Sequence, residues 1–221
     1  PIWPLVYVND ADDVTIRTLL LENAASGLVV VGSRGFAAGG IAATGHAGDG
    51  IAIDAESPFV TLDTLVSWNN GGDGIDLRGT FAGLVSSAAS GNAGHGVTTS
   101  GIVSTIASVT AAENKGIGIF VQNAGDVTVR KSSATGNLAG IWLTSLVPTA
   151  RALVGNTDLA AAEGNVVFGN TLAGIRVVDS VATVAGNTVG ATLHANAWGI
   201  QATGTVDVIS NVVAGNTRGI S

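Results

Sequence analysis

The sequence predicts an all-β solenoid of about nine coils, a single unit over residues 1–221, and three observations carry that expectation. A turn motif, Asn-x-x-x-Gly before Ile, Val or Leu, returns along the chain as "NAASGL" at 23–28, "NGGDGI" at 70–75, "NAGHGV" at 92–97 and "NKGIGI" at 114–119, ending with "NTRGI" at 216–220. An alternating apolar triplet starts at the last residue of each copy. The composition, with 32 glycines, 46% hydrophobic and only 11% charged residues, leaves little of the charged surface that amphipathic helices present to water.

Cutting after each motif glycine gives units 6–27, 28–50, 51–74, 75–96, 97–118, 119–140, 141–174, 175–199 and 200–219. Self-similarity at a period near 22 residues is the mark of stacked coils. The opening triplets run "VYV", "LVV", "IAI", "IDL", "VTT", "IFV", "IWL", "IRV" and "IQA". Strand side chains alternate between faces, so the first and third residues point inward and the second outward. The outward column is then Tyr7, Val29, Ala52, Asp76, Thr98, Phe120, Trp142, Arg176 and Gln201, mixed as a solvent face is expected to be.

A second apolar segment follows in each unit, as in "VSTIAS" and "VDVIS", so each coil is read as two or three short strands joined by turns. Asparagine suits the turn because it tolerates the left-handed region and its amide can bond the next copy. Glycine is expected there for its freedom to take positive φ. His46 fills the asparagine slot of its own copy, "HAGDGI".

The repeated Asn-x-x-x-Gly-[Ile/Val/Leu] step over residues 6–220 resembles the right-handed parallel β-helix of the pectate-lyase-like superfamily. That resemblance implies a rod, roughly 43 Å long for nine coils about 4.8 Å apart. It leaves the activity open, since the superfamily includes lyases, hydrolases, epimerases, tailspikes and adhesins. Its polygalacturonase-like hydrolases carry Asn-Thr-Asp, Asp-Asp, Gly-His-Gly and Arg-x-Lys on successive coils. This chain offers Asp73 and Asp76, Gly94-His95-Gly96, then Arg130 and Lys131; it lacks the Asp-Asp pair, and Asn156-Thr157-Asp158 falls on the wrong side. No catalytic residue is therefore assigned, and His95 is read as an exposed turn residue in a slot that accepts nearly anything.

The unit 141–174 holds 34 residues, and its excess is placed as an insertion at about 155–165, where "NTDLAAAEG" suggests a helical turn or loop. Such a loop could fold over Phe120 and Trp142. Nothing before Val6 is long enough for a cap and the chain stops at "RGIS", so the rod is expected to continue in a longer chain or to stack end to end.

A net charge of −7 with only two lysines gives a nucleic-acid backbone little to bind. The absence of cysteine removes thiolate metal sites, the three histidines occupy different slots, and no apolar run of about 18 residues marks a membrane span. No cofactor and no metal are expected. The ligand-binding candidates are Phe120, Trp142 and Arg176, an outward aromatic and cationic column, and Asp76 with Arg78, a candidate anion or calcium site with Asp54 or else a solvated ion pair. The expected role is a structural or adhesive segment of an extracellular or cell-surface protein, with a patch for polysaccharide or a surface protein. The alternatives are an enzyme acting on acidic glycans and a self-assembling fibre subunit.

Overall fold

The computed structural model describes residues 2–102, 105–122, 125–144, 150–158 and 163–221, without the side chains of 81 and 82. Every paired strand in it runs parallel to its partner, and the described residues contain no helix. One coil shows the plan: Val97–Thr99, Thr105–Ala107 and Thr110–Ala112 are three short strands, each stacked on its equivalents in the coils before and after. Three parallel sheets therefore enclose one core, the first running from Val6–Asn9 to Arg218–Ile220.

The alternation in the triplets gives this register directly. From Leu28 to Ile200 the first inward residue of every triplet is buried, and the core is a column of Val, Ile, Leu and Ala with Phe36 near one end. Burial of this apolar column, at about 25 cal/mol per Å², is the main stabilising term.

At the corner between the third and first sheets the asparagines form a ladder. The backbone N–H groups of His46, Asn70, Asn92, Asn114, Asn137, Asn170 and Asn196 each donate to Oδ1 of the next coil's asparagine at 2.9–3.2 Å. His46 belongs to the ladder as expected, its Nδ1 accepting from the N–H of Ala24 at 3.1 Å. A second ladder, which the repeat did not announce, links Asn165, Asn187 and Asn211 at the corner between the second and third sheets. Ser132 joins it from below by donating to Asn165.

The motif glycine has a different reason from the expected one. Its φ is not positive. A Cβ on Gly96 would lie 2.6 Å from the Gly118 carbonyl oxygen and 2.8 Å from Nδ2 of Asn114, so the position excludes any side chain on grounds of space. Positive φ belongs instead to the residue just before the asparagine slot, as in Asn69, Gly91, Glu113 and Gly136.

The long unit grows at two corners. Ile119 pairs with Ile141, 22 residues on, Val127 with Ala152, 25 on, and Ser133 with Val166, 33 on. Three extra residues thus enter between the first and second sheets and eight between the second and third. The helical turn expected in "NTDLAAAEG" falls on 159–162, outside the described residues. Glu163, at its far end, accepts from Arg130 at 2.6 Å and pairs with Lys131 at 2.7 Å.

Candidate functional site

Parallel stacking turns the outward residues of the first sheet into columns. The register Ala52, Asp76, Thr98, Phe120, Trp142, Arg176, Gln201 is unbroken across seven coils. A second outward column, two residues on, carries Arg78, Ser100 and Gln122, and the turn slot before each strand carries Asp49, Asp73 and His95. Asp73, His95, Asp76, Thr98, Phe120, Arg78, Ser100 and Gln122 line a cleft of roughly 590 Å³. A smaller depression of roughly 290 Å³, lined by Asp49, Asp54, Asp76 and the strand Leu28–Val31, lies on the other side of Arg78.

The expected pair of Asp76 and Arg78 is present, with its carboxylate buried and its guanidinium exposed. Asp76 is 4% exposed, and its Oδ2 accepts from Nε of Arg78 at 2.9 Å and from the adjacent guanidinium nitrogen NH2. Oδ1 of Asp76 is buried without a hydrogen-bond partner. Burial pushes the Asp76 carboxyl above the usual carboxylate range, against the pull of Arg78, and the nearby Asp73 adds to the rise. Burial raises Asp49 in the same way. Asp54 does not join this pair: its Oδ1 accepts from the Gly32 and Glu56 N–H groups and from the Ser57 hydroxyl, which makes it a turn residue.

His95 is half-buried in the cleft and not an exposed turn residue. Its slot is selective over three coils. Oδ1 of Asp49 accepts the N–H of Asp73 at 2.7 Å, Oδ1 of Asp73 accepts the N–H of His95 at 2.7 Å, and Nδ1 of His95 accepts the N–H of Ile117 at 2.8 Å. The series ends there because Ile117, the next residue in the slot, has no side-chain acceptor. Oδ2 of Asp73 takes the Thr98 hydroxyl at 2.6 Å, which is why Thr98, nominally outward, is buried.

Above the cleft the rings continue the column. His95 and Phe120 lie 5.0 Å apart, Phe120 and Trp142 meet edge-on at 6.0 Å, and the Arg176 guanidinium sits 4.2 Å over the Trp142 ring. Phe120, Trp142 and Arg176 are half-exposed, and no carboxylate among the described residues pairs with Arg176. The eight-residue insertion expected to fold over them enters at the corner between the second and third sheets, and its residues 159–162 lie outside the described residues. Arg130 ends a strand of the second sheet, Lys131 follows it and both bind Glu163, so the hydrolase-like order of motifs is not brought to one place. No group of His, Asp or Glu among the described residues is arranged to hold a metal ion.

Sequence reasoning named Asp76, Arg78, Phe120, Trp142 and Arg176, weighed Asp73 and His95 without assigning them, and missed Asp49 and Thr98. The missed signal was positional. Asp49, Asp73 and His95 occupy one slot of three consecutive copies, and each is an acceptor.

A three-sheet parallel solenoid with a polar cleft and an aromatic column on one face defines a β-helix protein. The family profile described as "Right handed beta helix region" matches residues 4–146 and 49–221, and the chain belongs to that family. Among solved structures it is similar to the A-module of the mannuronan C-5 epimerase AlgE4 of Azotobacter vinelandii. That match has a TM-score of 0.70 and 15% identity, over 99% of this chain and 74% of that one. The A-module of AlgE6 from the same organism matches with a TM-score of 0.63 and 16% identity, over 95% and 57%. Among curated proteins none matches.

Proposed function

We propose that the protein binds a linear polysaccharide along the outer face of its first sheet. The observation that carries this reading is the continuous column of His95, Phe120, Trp142 and Arg176 beside the Asp76–Arg78 cleft. Coils about 4.8 Å apart come close to the length of one sugar in an extended chain, so successive coils can meet successive rings. Half-exposed aromatic faces suit sugar stacking, and Arg176, free of a carboxylate, suits an acidic substituent. The likeness to mannuronan epimerase modules supports a polysaccharide ligand through fold alone. In this reading the protein works outside the cell or at its surface, as a structural or adhesive element.

Calorimetric titration with neutral and uronate oligosaccharides tests the reading. Binding by the parent and its loss in Trp142→Ala is the expected result, and silence across the whole panel would remove it.

Asp76 favours a second reading, in which the bound glycan is also modified. A buried carboxyl held above its usual range, with one oxygen engaged by Arg78 and the other unpartnered, is suited to proton transfer. Incubation with polyuronates, followed by analysis of chain length, unsaturation and epimer content, would detect it. Products that persist unchanged in Asp76→Asn would argue against this role.

A further inference from the structure

We infer that His95 is a fixed hydrogen-bond donor of the cleft, presenting Nε2–H to an uncharged oxygen of the bound glycan, and is not its base. The inference deepens the polysaccharide reading and rests on it.

A neutral imidazole has one nitrogen that donates and one that accepts, and the partner of one decides the role of the other. The Ile117 N–H, 2.8 Å from Nδ1, can only donate, so Nδ1 is the acceptor and the proton resides on Nε2. The ring has little freedom to exchange these roles. Its own backbone N–H is held by Asp73, whose other oxygen is held by Thr98, and Phe120 packs against the ring at 5.0 Å. Nε2 has no partner among the described residues and is not among the buried unpartnered atoms, and the side chain lines the cleft. The Asp49, Asp73, His95 series therefore does more than tie coils together. It fixes a donor at the cleft wall.

The surroundings select the acceptor. Asp73, Asp76 and Arg78 line the same cleft; Arg78 is already paired with Asp76, so an anionic oxygen brought to Nε2 would face the Asp73 carboxylate, which has no cationic partner. A hydroxyl, ring or glycosidic oxygen meets no such repulsion. Nε2 already holds its proton, so any proton taken from a bound sugar goes to a carboxylate.

The test uses the intact chain labelled with ¹⁵N-histidine, with the ring signals assigned by comparison with His95→Gln. At about pH 8, above the ordinary imidazole range, the His95 ring should show protonated Nε2 and bare Nδ1. The opposite tautomer would overturn the inference without any ligand. Neutral mannohexaose and a mannuronan hexasaccharide are then titrated in. The binding oligosaccharide should shift the Nε2–H resonance. His95→Gln, which keeps an acceptor and a donor, should bind nearly as the parent, and His95→Phe about tenfold more weakly, the loss expected for one hydrogen bond. Binding with an unmoved Nε2–H, or equal affinity in His95→Phe, would overturn the donor role and leave the polysaccharide reading standing. Failure of both oligosaccharides to bind would bring down both.

Discussion

Asn92 directs two hydrogen bonds at a single atom of Asn114: its backbone N–H and its side-chain Nδ2 both reach Oδ1, at 3.1 and 2.9 Å. Asn114 in turn donates from Nδ2 to the Ala89 carbonyl and to Oδ1 of Asn137. Asn114→Ala leaves several buried groups unpaired, each costing about 1–3 kcal/mol. A loss of about 3 kcal/mol or more is expected, lowering the thermal midpoint by roughly 6–12 °C for a chain of this size. Differential scanning calorimetry checks it.

Gly96→Ala should destabilise by about 1–3 kcal/mol, the usual cost of forcing a methyl group into packed space. The added carbon would meet the Gly118 carbonyl at 2.6 Å. Gly125→Ala is the control, since among the described residues its nearest neighbours, atoms of Ile102, lie at 3.6 Å or beyond, and chemical denaturation should find it close to the parent.

Acid should weaken the fold through His46. The ring is buried, Nδ1 accepts from Ala24, and Nε2 lies 3.1 Å from the Leu21 carbonyl, so it is held neutral. Burial lowers its pKa from the ordinary value. Between that ordinary value, about 6.5, and the lower folded one, the unfolded chain takes up a proton that the native state refuses. Stability is therefore full above about 6.5 and declines as pH falls through that window. His46→Asn, the residue most other coils use, should flatten the decline in denaturation midpoints between about pH 7.5 and pH 5.

Asp76 has the opposite sign. Its folded pKa is raised, so the native state keeps a proton that the unfolded chain releases above about 3.9, and the resulting deficit is complete at neutral pH. Asp76→Asn should raise the midpoint at pH 7, with the gain disappearing below about pH 3.9. Arg78, whose side chain is 60% exposed, stays solvated when its partner becomes neutral. A variant that is less stable at neutral pH would refute this account.

Trp142→Ala should weaken glycan binding by about 2 kcal/mol, roughly 30-fold, as expected for loss of a central aromatic contact. Arg176→Gln should lower affinity for uronate oligosaccharides while leaving neutral ones nearly unchanged, because only the charge over Trp142 is removed. Parallel titrations of both ligand classes separate these effects.

The sequence disclosed most of the scaffold because one residue type recurs at one slot. Asn70, Asn92, Asn114 and Asn137 announce their ladder, and the triplets announce the core. The corner holding Ser132, Asn165 and Asn187 stayed hidden, since the slot changes from Ser87 through Val109 and Ser132 to asparagine only at Asn165, and the long unit shifts the spacing to 33 residues. The cleft was half legible. Outward columns such as Phe120 and Trp142 follow from strand alternation, but the burial of Thr98 goes with its hydrogen bond to Asp73 of the neighbouring coil and that of Asp76 with its pairing to Arg78, which no single triplet encodes.

The asparagine ladder also implies interchangeable parts. Each rung refers only to the coils directly before and after it, and Asn92 and Asn114 both offer the same donors and the same acceptor. A whole middle unit such as 97–118 is thus equivalent, at this corner, to a removable link: with it excised, Asn92 would find Asn137 where Asn114 had been. The outer face would not be so indifferent, since the same excision would carry His95 one step closer to Trp142 and shorten the distance between the two ends of the column by one rung.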